Sequence, residues 1–209
     1  MKVTIFGADG RTGVEIVRYA KMRGLDVVAF VFSPNSNKYF PSGVEIKVGN
    51  VIDYTSVVDA IRGSDAVISA LGHIKGSDPL MQTKGMINIT KAMTELDVKR
   101  VLSMTGTGAR EKTDHPSVID SVLNFFVKLI DPDRINDGIE HVNVLKNSNL
   151  DWTVVRVLKL SNSVGEVSDY RLSDGGPAEL HTSRKKVAKV LVDLIDDEKY
   201  IGKLPVISG

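Results

Sequence analysis

Two rhythms of apolar and polar positions alternate along the chain. Short continuous apolar runs at Lys2–Phe6, Asp26–Phe32, Val44–Val48, Ala66–Ala70, Lys99–Met104 and Asp151–Val157 read as strands buried on both faces. Between them, apolar residues recur at helical spacing over Arg11–Arg23, Tyr54–Ile61, Pro79–Leu96 and Arg134–Lys146. Gly24 and Gly63 stand where the first two helices end. Ser183 reads as the N-cap of a last helix, with Val187, Leu191 and Leu194 as the stripe that faces the core. Val164–Leu172 suggests a short hairpin and Leu204–Ile207 a final strand. Strands that alternate with helices predict an α/β fold with a parallel sheet covered on both faces. Right-handed crossovers then give a doubly wound, Rossmann-like sheet of strand order 3-2-1-4-5-6. A length of 209 residues fits one domain over 1–209.

The stretch Pro116–Ile130 is amphipathic and rather apolar, with Val118, Ile119, Val122, Leu123, Phe125, Phe126 and Leu129. It follows the fifth strand, where such folds place a segment over the substrate. The Ile119/Leu123/Phe126 stripe has three possible fates: a cover for a planar acceptor, core, or a subunit contact.

The first strand runs directly into Gly7, Gly10 and Gly13, spaced G-x-x-G-x-x-G, with Asp9, Arg11 and Thr12 between them. A strand, a glycine turn and a helix in that order aim free backbone N–H groups and a positive helix end at a diphosphate. Gly7 is expected to allow the tight turn, Gly10 to let the pyrophosphate touch backbone, and Gly13 to let the helix pack close. The predicted strand order puts the ligand crevice at the ends of strands one and four. Ala70, Leu71, Gly72 and His73 map to the same place, independently of the glycine motif.

Composition narrows the function. The formal net charge is +1, so no strong field draws nucleic acid or an anionic membrane. There is no cysteine, which excludes disulfides, thiol redox chemistry and cysteine-ligated metal. His115, His141 and His181 show no metal-ligand spacing. No run is long enough to span a bilayer, and the first residues are too glycine-broken for a signal peptide, so a cytoplasmic protein is expected, monomer or homodimer.

The second strand ends Phe32-Ser33-Pro34-Asn35, without the acid that NAD-selective folds place there. That permits NADP, with NAD as an alternative. Arg11 reaches toward the adenosine side, and Ser33 and Lys38 add a donor and a charge. Asn50 and Val51 follow the third strand, where a polar side chain accepts from the adenine amino group; Asn50 reads equally well as a turn residue.

Taken together, GADGRTG (7–13), GNVID (49–53), SDAVISALG (64–72), SMTGTGA (103–109), LDWTVVR (150–156) and TSRKKVAKVL (182–191) resemble the atypical short-chain dehydrogenases with an NmrA-like NAD(P)H-binding domain. Among these, the chain is most similar to the flavin reductase/biliverdin reductase B type, over nearly its whole length. The resemblance implies NADP or NAD, and hydride transfer to a flavin, quinone or similar planar acceptor. Some relatives sense the dinucleotide without turnover. The chain departs from the family at Phe32, where an Arg is common, and at Asn50, where Asp is common. It departs again at Val157, where Pro is usual, and at Gly106, where reductases often carry Ser after Thr.

The Tyr-x-x-x-Lys pair of standard short-chain dehydrogenases is missing: the residues four beyond Tyr19, Tyr39, Tyr54, Tyr170 and Tyr200 are Arg23, Gly43, Val58, Asp174 and Leu204. Thr105 remains as the candidate catalytic and nicotinamide-orienting residue, with Thr107 beside it and Val157 at the end of the neighbouring strand. Two functions stay open: an NAD(P)H-dependent oxidoreductase for a flavin or quinone, and a dinucleotide-binding sensor without turnover. Epimerisation of a nucleotide sugar is disfavoured by the missing pair.

Overall fold

A computed structural model describes residues 1–72, 78–162 and 169–208. Strands β1 (Lys2–Phe6), β2 (Asp26–Val31), β3 (Val44–Val48), β4 (Ala66–Ser69), β5 (Arg100–Gly106) and β6 (Asp151–Val157) pair in parallel in the expected order 3-2-1-4-5-6. The short strands β7 (Leu160–Ser161) and β9 (Thr182–Ser183) form a separate parallel pair. The main sheet continues beyond β6 with β10 (Pro205–Ser208), parallel to β6, and β8 (Arg171–Asp174), antiparallel to β10. The expected hairpin over 164–172 is therefore not what Arg171 and Leu172 belong to: they open β8 and pair with Ser208 and Ile207. Its earlier part, 164–168, lies outside the described residues.

Helices α1 (Arg11–Met22) and α6 (Arg184–Asp193) pack together on one face of the sheet. Val3, Ile5 and Ala29 from the strands meet Ile16, Val17, Val187 and Leu191 there. Helices α2 (Tyr54–Ile61), α3 (Met81–Glu95) and α5 (Pro132–Lys146) cover the other face, where Phe6, Val67, Val101 and Val154 meet Val57, Met86, Ile89 and Leu145. Successive strand residues thus feed opposite cores, as the two-residue strand period requires. Both layers hide almost all of their apolar side chains.

Helix α4 (Val118–Ile130) does the opposite. The core fate of its stripe is overturned: Phe125 is 60 % exposed, Phe126 53 % and Ile119 55 %, and the buried residue of the helix is Asp120. The cause is polar docking. Thr107 Oγ1 donates to Asp120 Oδ1 at 2.9 Å, and Asn124 donates to Thr107 Oγ1 at 2.9 Å and to the Asp120 carboxylate. Arg110 approaches the same carboxylate at 3.4 Å. The segment leading into α4 is held by Arg156, which is 2 % exposed and forms an ion pair with Asp114 and hydrogen bonds to the carbonyls of Ala109 and Leu204. Burial raises the Asp114 carboxyl and the Arg156 hydrogen bonds lower it; the lowering wins.

Candidate functional site

The glycine turn and the end of β4 meet where the sheet reverses direction. Gly7 has φ +69°, and a Cβ on it would lie 3.1 Å from the Ala70 carbonyl and 3.2 Å from Leu71 N. A Cβ on Gly13 would fall 2.1 Å from the Gly7 oxygen, so only glycine lets α1 approach β1 this closely. Gly10 is the N-cap of α1 and offers no side-chain cap. At four other helices a side chain takes N-terminal donors: Asp53 caps α2, Ser117 α4 and Ser183 α6, and Asp137 of α5 accepts from Gln82 N and Thr83 N at the start of α3. The first turn of α1 keeps its orphan N–H groups beside the crevice, a ready anion site. The residues present fit a dinucleotide diphosphate.

The structure distributes the remaining expected residues as follows. Thr12 is buried in the first turn of α1. Ala70 donates to the Phe6 carbonyl at 2.9 Å, Leu71 packs against the α2/α3 core, and a Cβ on Gly72 would touch none of the described residues. Val51 is buried under α3, against which Gly85 leaves just enough room. Asn50 Oδ1 accepts from Ile52 N at 3.0 Å, a contact within the turn after β3. His73 lies outside the described residues, as does the side chain of Lys38. Thr105 is buried near the carboxyl end of β5, opposite Arg156 in register, and a Cβ on Gly138 of α5 would come within 2.7 Å of its hydroxyl. Val157 pairs with Gly106 and its side chain belongs to the α1/α6 core. Thr107, by contrast, is turned to Asp120 and serves α4.

Asp9 gives a placement that the sequence did not reveal. Its Oδ2 accepts from Phe32 N at 3.2 Å, Ser33 N at 3.4 Å and Ser36 Oγ at 3.3 Å. These bonds tie the glycine loop to the end of β2 and engage one oxygen of the carboxylate. A cavity of about 540 Å³ opens beside it, lined by Asp9, Arg11, Tyr39, Asn162, Arg184 and Lys185. Arg184 donates to the Asn162 side-chain oxygen. Burial, and then the charge of Arg11, lower the Arg184 guanidinium below its ordinary value. No local signal ties the start of α6 to the glycine loop; the two meet because α1 and α6 share one face of the sheet.

No tyrosine stands at the end of β5. Tyr19 and Tyr170 hydrogen bond Asp193 on α6, Tyr54 opens α2, Tyr200 is buried in the α1/α6 core, and Tyr39 lines the cavity with Arg11. His141 is fully buried on α5, with its Nδ1–H donating to the Gly138 carbonyl at 2.9 Å and Nε2 accepting from Ser103 at 3.2 Å. Burial pulls its pKa down to about 4, so it stays neutral and structural. Among the described residues no acidic, histidine or cysteine cluster is arranged for a metal, and no helix is long and apolar enough to cross a membrane.

Comparison with known proteins agrees with this geometry. The NAD(P)H-binding family model matches residues 7–198. The chain is 30 % identical to the uncharacterized protein YwnB of Bacillus subtilis (strain 168) over 157 residues, 73 % of this chain and 70 % of that protein. It is 23 % identical to the isoflavone reductase homolog A622 of Nicotiana tabacum over 216 residues, 97 % of this chain and 66 % of the relative. Among solved structures, a short-chain dehydrogenase/reductase from Veillonella parvula DSM 2008 in complex with NADP superposes with a TM-score of 0.81 at 19 % identity, covering 100 % of this chain and 94 % of the other. A Rossmann-fold NAD(P)-binding family protein from Shigella flexneri gives 0.75 at 22 % identity, covering 99 % and 92 %.

Proposed function

The chain belongs to the NAD(P)H-binding family, within the atypical short-chain dehydrogenases of NmrA-like type, and from that premise we propose that it is an NAD(P)H-dependent reductase for a flavin, quinone or similar flat conjugated acceptor. The observation that carries the reading is the end of β5. Thr105 and Gly106 stand there, and all five tyrosines are placed elsewhere. Reducing a simple ketone builds an alkoxide that needs a proton donor in the transition state. A flavin or quinone delocalises the incoming charge, so solvent protonation is sufficient.

When bound, the dinucleotide supplies the hydride. The glycine loop and the uncapped start of α1 hold its diphosphate, and Thr105 orients the reacting end through its hydroxyl. Helix α4, tied to the end of β5 by Thr107, supports the acceptor side. Its outward surface carries a shallow, mostly apolar cavity of about 490 Å³ lined by Pro116, Val118, Ser121, Val122, Phe125 and Phe126. A flat apolar ring system suits such a wall better than a sugar does.

The test is steady-state NADPH and NADH oxidation with FMN, a quinone and a small ketone. Turnover with FMN or the quinone and little with the ketone is expected, with each single Tyr→Phe variant nearly as active as the parent. Fast ketone reduction, or collapse on loss of one tyrosine, overturns the mechanism. Gly106 leaves the end of β5 without the hydroxyl that related reductases often carry, which favours one other reading. In that reading the protein is a dinucleotide sensor, recognised by tight binding with no turnover of any acceptor.

A further inference from the structure

Positive charge gathers beside the glycine loop at an energetic cost. Arg11 opens α1 and Arg184 opens α6, so both guanidinium groups sit near the positive ends of helix dipoles. α6 begins Arg184-Lys185-Lys186 with no acid in its first turn. Among the described residues, neither arginine forms an ion pair with a carboxylate. Asp9 faces Phe32 N, Ser33 N and Ser36 Oγ, and Glu15 pairs with Arg18 at 3.0 Å. Arg184 also feels the charge of Arg11 directly. Two mutually repelling cations, placed where helix ends already disfavour cations, do little for the stability of the fold. They suit a ligand that brings two negative charges.

The position of the cavity says which ligand group that is. In doubly wound folds the adenosine ribose lies at the end of β2. Here that end is bounded by Asp9 and Ser33, and Tyr39 of the following turn lines the same cavity as the two arginines. We infer that Arg184 on α6 joins Arg11 on α1 as a two-arginine receptor for the phosphomonoester on the adenosine ribose, and that this pair makes the protein select NADPH over NADH. The inference rests on the dinucleotide-binding reading above and adds a specificity residue from the far end of the chain. A guanidinium presents a planar fork that matches phosphate oxygens, and Asn162 orients that fork by accepting one of its N–H groups. A ribose hydroxyl has no charge to match, so NADH gains little from either arginine.

Equilibrium binding of NADPH, NADH and 2′,5′-ADP to the full chain tests this, with Arg184→Gln, Arg184→Lys and Arg11→Gln as variants and a thermal melt on each. The wild type is expected to bind NADPH more tightly than NADH. Arg184→Gln and Arg11→Gln should each weaken NADPH and 2′,5′-ADP by about tenfold or more, the effect of one lost charge-assisted hydrogen bond, and shift NADH by less than about threefold. Arg184→Lys, which keeps the charge and loses the fork, should fall between. Unchanged NADPH affinity in Arg184→Gln, equal weakening of both dinucleotides, or tighter NADH binding by the wild type overturns the inference and leaves the dinucleotide site standing. A wild type that binds neither NADPH nor NADH overturns both.

Discussion

Helices α6 and α4 are both amphipathic, and they stand on opposite terms with the sheet. α6 buries Val187, Ala188 and Leu191 completely and keeps Lys186 and Lys189 half-buried in ion pairs with Glu179 and Asp193. α4 buries Asp120 and turns Phe125, Phe126, Leu129 and Ile130 outward. The difference teaches that periodicity shows a helix to have two faces without showing which one goes in. That depends on what surface is left. α6 docks beside α1 onto strands whose side chains on that face are apolar. By contrast, the face beneath α3 and α5 is already filled by Met86, Ile89, Val142 and Leu145. What the end of β5 offers α4 is polar: Thr107 and Arg110.

Four substitutions break or sharpen this contrast, each read by urea unfolding. The largest effect is expected at Arg156, which holds the segment entering α4. Arg156→Met leaves Asp114 buried and unpaired, at a cost of about 3–5 kcal/mol near neutral pH. The sign with pH is definite. In the wild type the carboxyl of Asp114 is lowered, so the stability it contributes is present above the ordinary carboxylate range and lost as pH falls through the lowered value. In the variant it is raised instead, so the deficit shrinks toward acid pH. A deficit independent of pH would show that the ion pair is not what holds this segment.

On the α6 side, Leu191→Ala removes a fully buried side chain and should cost about 2–5 kcal/mol. Asp120→Ala leaves Thr107 and Asn124 without their shared acceptor and should cost about 1–3 kcal/mol, the penalty for buried polar groups left unpaired. Phe126→Ser should change stability by no more than about 0.5 kcal/mol, because its ring is already largely in water. In steady-state assays with a quinone, the same change should raise the acceptor KM and leave the NADPH KM alone. A large loss of stability from Phe126→Ser would mean that the outer face of α4 is covered in solution, and unfolding that varies with protein concentration would identify a second copy as the cover.

Much of the architecture was legible in the chain. Buried parallel strands show as short apolar runs, and β3 and β6 have the bounds that their runs predict. Gly24 and Gly63 take positive φ at the helix ends, and Ser183 caps α6 by accepting from Lys186 N at 3.1 Å. The crossover rule then fixes the order of the parallel strands. The site was legible only where chemistry is local. Gly7 and Gly13 announce the turn because a side chain at either would strike backbone. Asp120 and Asn124, one turn apart in a mostly apolar helix, were the available signal that the polar stripe of α4 faces inward.

Sequence by itself determined the six parallel strands β1–β6, the helices, the end signals at Gly24, Gly63 and Ser183, the glycine turn and the order of the parallel sheet, because each depends on spacing within a few residues and on handedness. Only the tertiary structure decided that β10 and β8 extend the sheet, that Asp9 ties the glycine loop to the end of β2, and that Arg184 lies beside Arg11. It also decided that α4 shows its apolar face. These pairings join residues far apart in the chain, and which of them form depends on which faces earlier elements have already covered.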